Sequence, residues 1–90
     1  MTISRNTAAT TPDLEELRTM IAEVIDVDVD EVTDEATFAE DLEVDSLLAL
    51  ELAVQLESRY GVKVADHEVS KFTDLRATHR LLSDKMAETP

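Results

Sequence analysis

Apolar residues recur at helical spacing from position 14 onward, where Leu14, Leu17, Ile21, Val24 and Ile25 fall in one stripe. Thr11-Pro12-Asp13 ahead of them is a helix start: a capping hydroxyl, a proline at the first helical position, and Asp13, Glu15 and Glu16 at the positive end. This pattern predicts a first helix over 12–26. The next stretch breaks it. Val27, Val29 and Val32 alternate with Asp28, Asp30 and Glu31, but a lone short strand has nothing to pair with, so an extended loop is expected. Phe38 and Leu42, four apart, predict a short helical turn that pins the connection to the core. A connection this long in a small domain is more often functional than idle. From Ser46 the apolar density rises, predicting a second helix to about Tyr60, ended by Gly61. Val62 and Val64 form a brief link, Asp66 to Ser70 a short helical turn, and Thr73 or Asp74 caps a last helix containing Leu75, Leu81, Leu82 and Met86. The expected fold is all-α, an up-and-down bundle of three main helices plus one short helix, with a long loop after the first. Residues 1–11 read as a disordered leader, 12–87 as the domain and 88–90 as a frayed tail.

The second helix carries more apolar residues than one core face needs. At 100° per residue, Leu48, Ala49, Leu52, Ala53, Leu56 and Tyr60 share one broad arc, which is assigned to the core. Leu47, Leu50 and Val54 cluster outside it, flanked by Glu51 and Glu57. They are expected to face solvent as an apolar patch rimmed by acids, suited to a transient partner that offers Arg or Lys.

Ninety residues make one domain at most. With 43% hydrophobic residues but only 3% aromatic, Leu, Val, Ile and Ala must supply its core. The net charge of −13 argues against nucleic-acid binding, which needs cations to replace counterions on phosphate, and against an anionic membrane surface. The charge is local: residues 13–45 hold 14 acids and one base, Arg18. The absence of cysteine excludes disulfides, zinc–thiolate sites and thiol nucleophiles, and fits a reducing cytoplasm. No apolar stretch approaches the ~18 residues of a membrane span, and no signal pattern opens the chain, so a soluble cytoplasmic protein is expected.

Few residues carry chemistry. Asp26, Asp28 and Asp30 sit at the first, third and fifth places of a calcium loop, but the sixth is Glu31 and the twelfth Thr37, where glycine and glutamate belong. Solvated acids are the better reading. His67 and His79 are twelve apart with no cysteine, so no catalytic metal is expected. Ser46 follows Asp45, but a hydrolase nucleophile elbow needs flanking glycines, which Val44-Asp45-Ser46-Leu47-Leu48 lacks. Two readings of Ser46 remain. It is an N-cap of the second helix, or it bears a phosphodiester at a helix end where free N–H groups and the dipole favour an anion. Asp45 beside it would repel that phosphate, and makes better sense as a feature read by another protein.

At these residues the sequence resembles the acyl carrier protein family. Asp45-Ser46-Leu47, preceded by Asp41-Leu42, is similar to that family's D-L-G-x-D-S-L signature. The likeness extends to Phe38, the Leu50-Glu51-Leu52 run, Leu56-Glu57, Tyr60-Gly61 and Phe72-Thr73-Asp74-Leu75, covering about residues 12–86. The resemblance implies a carrier without catalytic residues. Ser46, flanked by Asp45 and Leu47, would bear 4′-phosphopantetheine donated by coenzyme A, whose thiol holds acyl groups as thioesters. The implied partners are a phosphopantetheinyl transferase and acyltransferase, ligase and ketosynthase-type enzymes. They would dock on the second helix through Glu43, Leu47, Leu50, Glu51, Val54 and Glu57, with the carrier a monomer. Glu43 departs from the signature glycine, and negative φ is expected there. Leu47-Leu48-Ala49-Leu50-Glu51-Leu52 looks more like polyketide carriers than fatty-acid ones, so a discrete polyketide-type carrier leads, ahead of fatty-acid and aminoacyl or peptidyl carriers. From other classes, an acidic helical interaction module or calcium-dependent regulator, and more distantly a small hydrolase, stay open.

Overall fold

The computed structural model describes residues 12–88 and contains, among them, three α-helices and two 3-10 segments, with no strand. The helices are α1 (Leu14–Ile25), α2 (Ser46–Tyr60) and α3 (Leu75–Glu88). α1 packs against both others. The expected leader lies outside the described residues, as do Thr89 and Pro90; α3 runs through Glu88, one residue past the expected domain boundary.

Local chemistry sets each helix end. α1 begins two residues later than expected, because the Asp13 carboxylate takes the cap: it accepts from the Glu16 N–H at 3.0 Å and leaves Pro12 ahead of the helix. Its C-terminus turns left-handed at Asp26, with φ +64°, and Val27 N–H closes onto Ala22 O at 3.0 Å. Gly61 does the same for α2 at φ +68°, as expected. Asp74 rather than Thr73 caps α3, accepting from Ala77 N–H at 2.8 Å.

Leu17, Ile21, Leu52, Leu56, Leu75 and Leu82 meet fully buried at the centre, joined by Val32 and Phe38 from the long connection. Aliphatic side chains from three helices thus do the work that aromatics do elsewhere. Thr78 is also fully buried, its hydroxyl donating to Asp74 O at 2.9 Å, so a polar residue fills a core position without an unmatched group.

The long connection is not simply extended. Val29–Glu31 forms a 3-10 turn, with Glu31 N–H donating to Asp28 O and the Glu31 carboxylate accepting from Asp28 N–H at 3.3 Å. Of the acids considered for calcium, Asp26 ends α1, Asp28 starts the 3-10 turn and Asp30 lies within it, and among the described residues no three His, Asp or Glu are placed to hold a metal ion. Arg18, half-buried, ties the connection to α1: it donates to Val32 O and pairs with Glu15 at 2.9 Å and Asp34 at 2.6 Å. Arg76 of α3 reaches the other Asp34 oxygen at 3.1 Å. Hydrogen bonding to Arg18 holds the Glu15 and Asp34 carboxyls below the usual carboxylate range. The second 3-10 segment, Asp66–Lys71, is anchored by Glu68, which accepts from Ala65 N–H at 2.9 Å and pairs with Lys85 of α3 at 2.7 Å; the Lys85 bond lowers its pKa.

Candidate functional site at the start of α2

The approach to α2 is stitched in three places. Thr37 and Asp41 close one helical turn, Asp41 N–H donating to Thr37 O at 2.9 Å and the Asp41 carboxylate accepting from Thr37 N–H at 2.8 Å. Buried Phe38 is held from both sides: its N–H donates to Thr73 O at 2.8 Å and its carbonyl accepts from Val44 N–H at 2.7 Å. Val44 is buried as well, so the chain is fixed to the core two residues before Ser46.

Fixing Val44 imposes a cost at Glu43. Its φ is +56°, not the negative value expected from a residue with a Cβ. The backbone keeps the left-handed geometry that glycine adopts freely, because the Phe38–Val44 bond holds the adjoining residue in place. The Glu43 side chain is exposed and makes no hydrogen bond or ion pair with any described residue.

Asp45, not Ser46, is the N-cap of α2. Its carboxylate accepts from Leu48 N–H at 2.9 Å and its carbonyl from Ala49 N–H at 2.8 Å. This corrects the reading of Ser46 as the cap and gives Asp45 a job of its own. Ser46 becomes the first helical residue, exposed, with a hydroxyl that makes no hydrogen bond among the described residues. Its own N–H and that of Leu47 also lack partners, as the first turn of a helix dictates.

Beside Ser46 opens a cleft of about 540 Å³ between the connection, α2 and the second 3-10 segment. Phe38, Val44, Ala49, Val69 and Phe72 form its apolar wall, and neither histidine lines it. Glu40, Asp45 and Asp66 bring carboxylates to the lining, but among the described residues none is hydrogen-bonded to the Ser46 hydroxyl, and the Asp45 carboxylate is taken up by Leu48 N–H. The far wall, Asp66 to Thr73, was missed as part of the site; Phe72-Thr73-Asp74-Leu75 was its one visible trace.

Along α2, the core arc is as expected: Leu52, Ala53 and Leu56 are buried, with Leu48, Ala49 and Tyr60 packed against them. Leu47, Leu50 and Val54 are 76%, 46% and 52% exposed. Glu51 accepts from Gln55 at 3.3 Å and stays at the surface. Glu57 is otherwise engaged, its carboxylate accepting from Val64 N–H at 2.7 Å to hold the link after α2.

A protein-family model described as the phosphopantetheine attachment site matches residues 15–82, which spans all the elements that build this cleft. The chain is also 51% identical, over 92% of its length and 95% of the relative's, to polyketide-8 synthase acyl carrier protein 2 of Streptomyces avermitilis. The chain belongs to the acyl carrier protein family. This carrier protein is further similar to the acyl carrier protein of Thermosynechococcus vestitus, at 36% identity over 82% of the chain and 91% of the relative. Against the meromycolate extension acyl carrier protein of Mycolicibacterium aurum it is 44% identical over 60% of the chain and 56% of the relative. It is a carrier rather than a catalyst, and its prosthetic group is 4′-phosphopantetheine. No helix among the described residues is long and apolar enough to cross a membrane.

Proposed function

We propose that this carrier protein holds acyl intermediates as thioesters on a phosphopantetheine arm joined through a phosphodiester to Ser46 Oγ, and that it serves polyketide assembly. The observation that carries this reading is Ser46 itself, an exposed, unbonded hydroxyl at the first position of α2, held at the mouth of an apolar cleft. The residues fit the prosthetic group. Free N–H groups of Ser46 and Leu47 favour the phosphodiester charge, and the cleft offers the arm and cargo an apolar wall. When bound, the arm supplies the thiol that this cysteine-free chain lacks.

The flanking residues divide the labour. Asp45 fixes the helix start, and Leu47, Leu50 and Val54 form the face on which a transferase, acyltransferase or ligase, and ketosynthase-type enzymes dock as monomeric carrier meets partner. Glu43 and Glu51 rim that face with free or weakly bonded carboxylates. Glu57, committed to Val64, contributes least. The 51% relative, by its name a polyketide synthase component, supports the polyketide reading over the fatty-acid one. A cytoplasmic location fits a chain without cysteine.

Incubation with coenzyme A and a phosphopantetheinyl transferase tests the attachment by intact mass. One arm should add to the wild type and none to Ser46→Ala with unchanged helicity; addition to the mutant sinks the assignment. Presenting the loaded carrier to polyketide-type and fatty-acid-type ketosynthases tests the pathway, the former being expected to accept it faster.

A further inference from the structure

A second cavity, of about 320 Å³, lies between α3 and the start of α1 and shares no lining residue with the cleft at Ser46. Its lining is Leu14 from α1 and Arg76, His79, Arg80 and Ser83 from α3, four residues whose i, i+3, i+4 and i+7 spacing puts them on one helix face. Among the described residues no acidic side chain lines it, in a chain with 21 acids.

Three of these groups have unused capacity. Arg80 makes no hydrogen bond or ion pair with any described residue. Arg76 uses one nitrogen on Asp34 and is otherwise 65% exposed. Ser83 is the sharpest case: its hydroxyl is shut off from solvent and has no partner among the described residues. A helical hydroxyl ordinarily bonds back to the carbonyl four residues earlier, as Thr78 does to Asp74. A buried polar atom left unmatched is a cost that a ligand can remove. His79 sets the rim, its Nε2 lying 2.8 Å from Pro12 O, which joins the chain before α1 to α3.

We propose that this cavity binds a phosphate group. The guanidinium forks of Arg76 and Arg80 match a tetrahedral oxyanion, and rotation of the Ser83 side chain about χ1 brings its now buried hydroxyl to a third oxygen. Together they offer more donors than the two oxygens of a carboxylate accept well. At ~30 Å³ of liquid per water, the cavity holds about ten waters, so it has room for an ester substituent besides the phosphate. Asp34 bonds one Arg76 nitrogen at 3.1 Å and leaves the others to the phosphate, while physiological salt screens exposed acids beyond about 8 Å.

The test is a titration of the full 15N-labelled chain with inorganic phosphate, against sodium chloride at matched ionic strength, read by amide shifts. Saturable shifts at Leu14, Arg76, His79, Arg80 and Ser83, absent with chloride, are expected. Arg80→Gln, at the surface, should weaken binding roughly tenfold, and Ser83→Ala several-fold, with helicity unchanged. AMP in place of phosphate reports the source: tighter binding assigns the rest of the cavity to the organic part of a phosphate ester, equal binding to free phosphate. Shifts that chloride reproduces, that centre on the start of α2, that fail to saturate by about 50 mM, or that persist undiminished in Arg80→Gln overturn the site.

Discussion

α1 and α2 are similar in length and both bury one apolar face, yet they treat solvent in opposite ways. The outward side of α1 carries Glu15, Glu16 and Glu23, and every large apolar residue of that helix is buried or packed against the core. The outward side of α2 carries Leu47, Leu50 and Val54 in the open. Both helices had acids and bases available in the same chain, so exposed apolar side chains on α2 are not a shortage of polar ones. A stability requirement would bury them; the docking face proposed above requires them at the surface. The contrast separates apolar residues that hold the fold from those proposed to meet a partner, and it can be broken by mutation.

The largest effects belong to the buried faces. Ile21→Ala in α1 and Leu56→Ala in α2 each empty a fully buried position, and each should cost about 2–5 kcal/mol in denaturant unfolding. Leu50→Ala and Val54→Ala should stay within about 0.5 kcal/mol of wild type, as surface changes do. In acyl transfer the ranking reverses among folded variants: Leu50→Ala and Val54→Ala should lose roughly fivefold or more in partner kcat/KM, while Glu23→Gln on α1 should leave it unchanged. Equal transfer by all three would remove the distinction between the two outward faces.

Much of this contrast could be read from spacing alone, since an arc of 100° steps needs only residue types. What escaped depended on competition or distance. Asp45 and Ser46 are both good N-caps, and nothing local decides between them; the bond from Val44 to Phe38 sets the register in favour of Asp45. Glu43 was misjudged because its φ is imposed by that same bond rather than by its own preference. Thr78 hid in the core because its type suggests a surface. The Arg18 clamp joins residues up to 16 apart in sequence, and the cleft wall at Val69 and Phe72 comes from the far end of the chain.

Intermediate effects distinguish the two helix starts. Asp13 and Asp45 make the same cap, a carboxylate accepting from an N–H three residues on. Asp13→Ala and Asp45→Ala should each cost ~1 kcal/mol. Only Asp45→Ala should also slow arm attachment, because fraying there releases Ser46, the proposed attachment residue. Equal attachment rates in the two variants would mean that the order of α2's first turn does not matter to the transferase. Glu43→Gly, relieving positive φ beside the same site, should stabilise by about 0.5–1 kcal/mol.

The smallest effect tests why α1 keeps its outward face charged. Some of those acids are structural, because Arg18 joins Glu15 to Asp34 and so holds α1 to the long connection. The Asp34 carboxyl, lowered by Arg18, binds a proton less readily folded than unfolded. Its contribution to stability is therefore complete above the ordinary carboxylate value near ~4, and is lost as pH falls through the lower folded value. The other acids blur this in the wild type alone, since protonating them also relieves the repulsion of a −13 chain. Subtracting Asp34→Asn removes most of that background. The difference in thermal midpoint between wild type and Asp34→Asn should be small, constant from pH 8 to about 5, and should close below about pH 4. Raising salt should lift both midpoints together by screening the shared repulsion, while narrowing the gap between them slightly, because the carboxylates paired with half-buried Arg18 remain within reach of solvent ions. A gap that widened on acidification would mean that Asp34 is held by something other than its charge, and that α1's acidic face serves solubility alone.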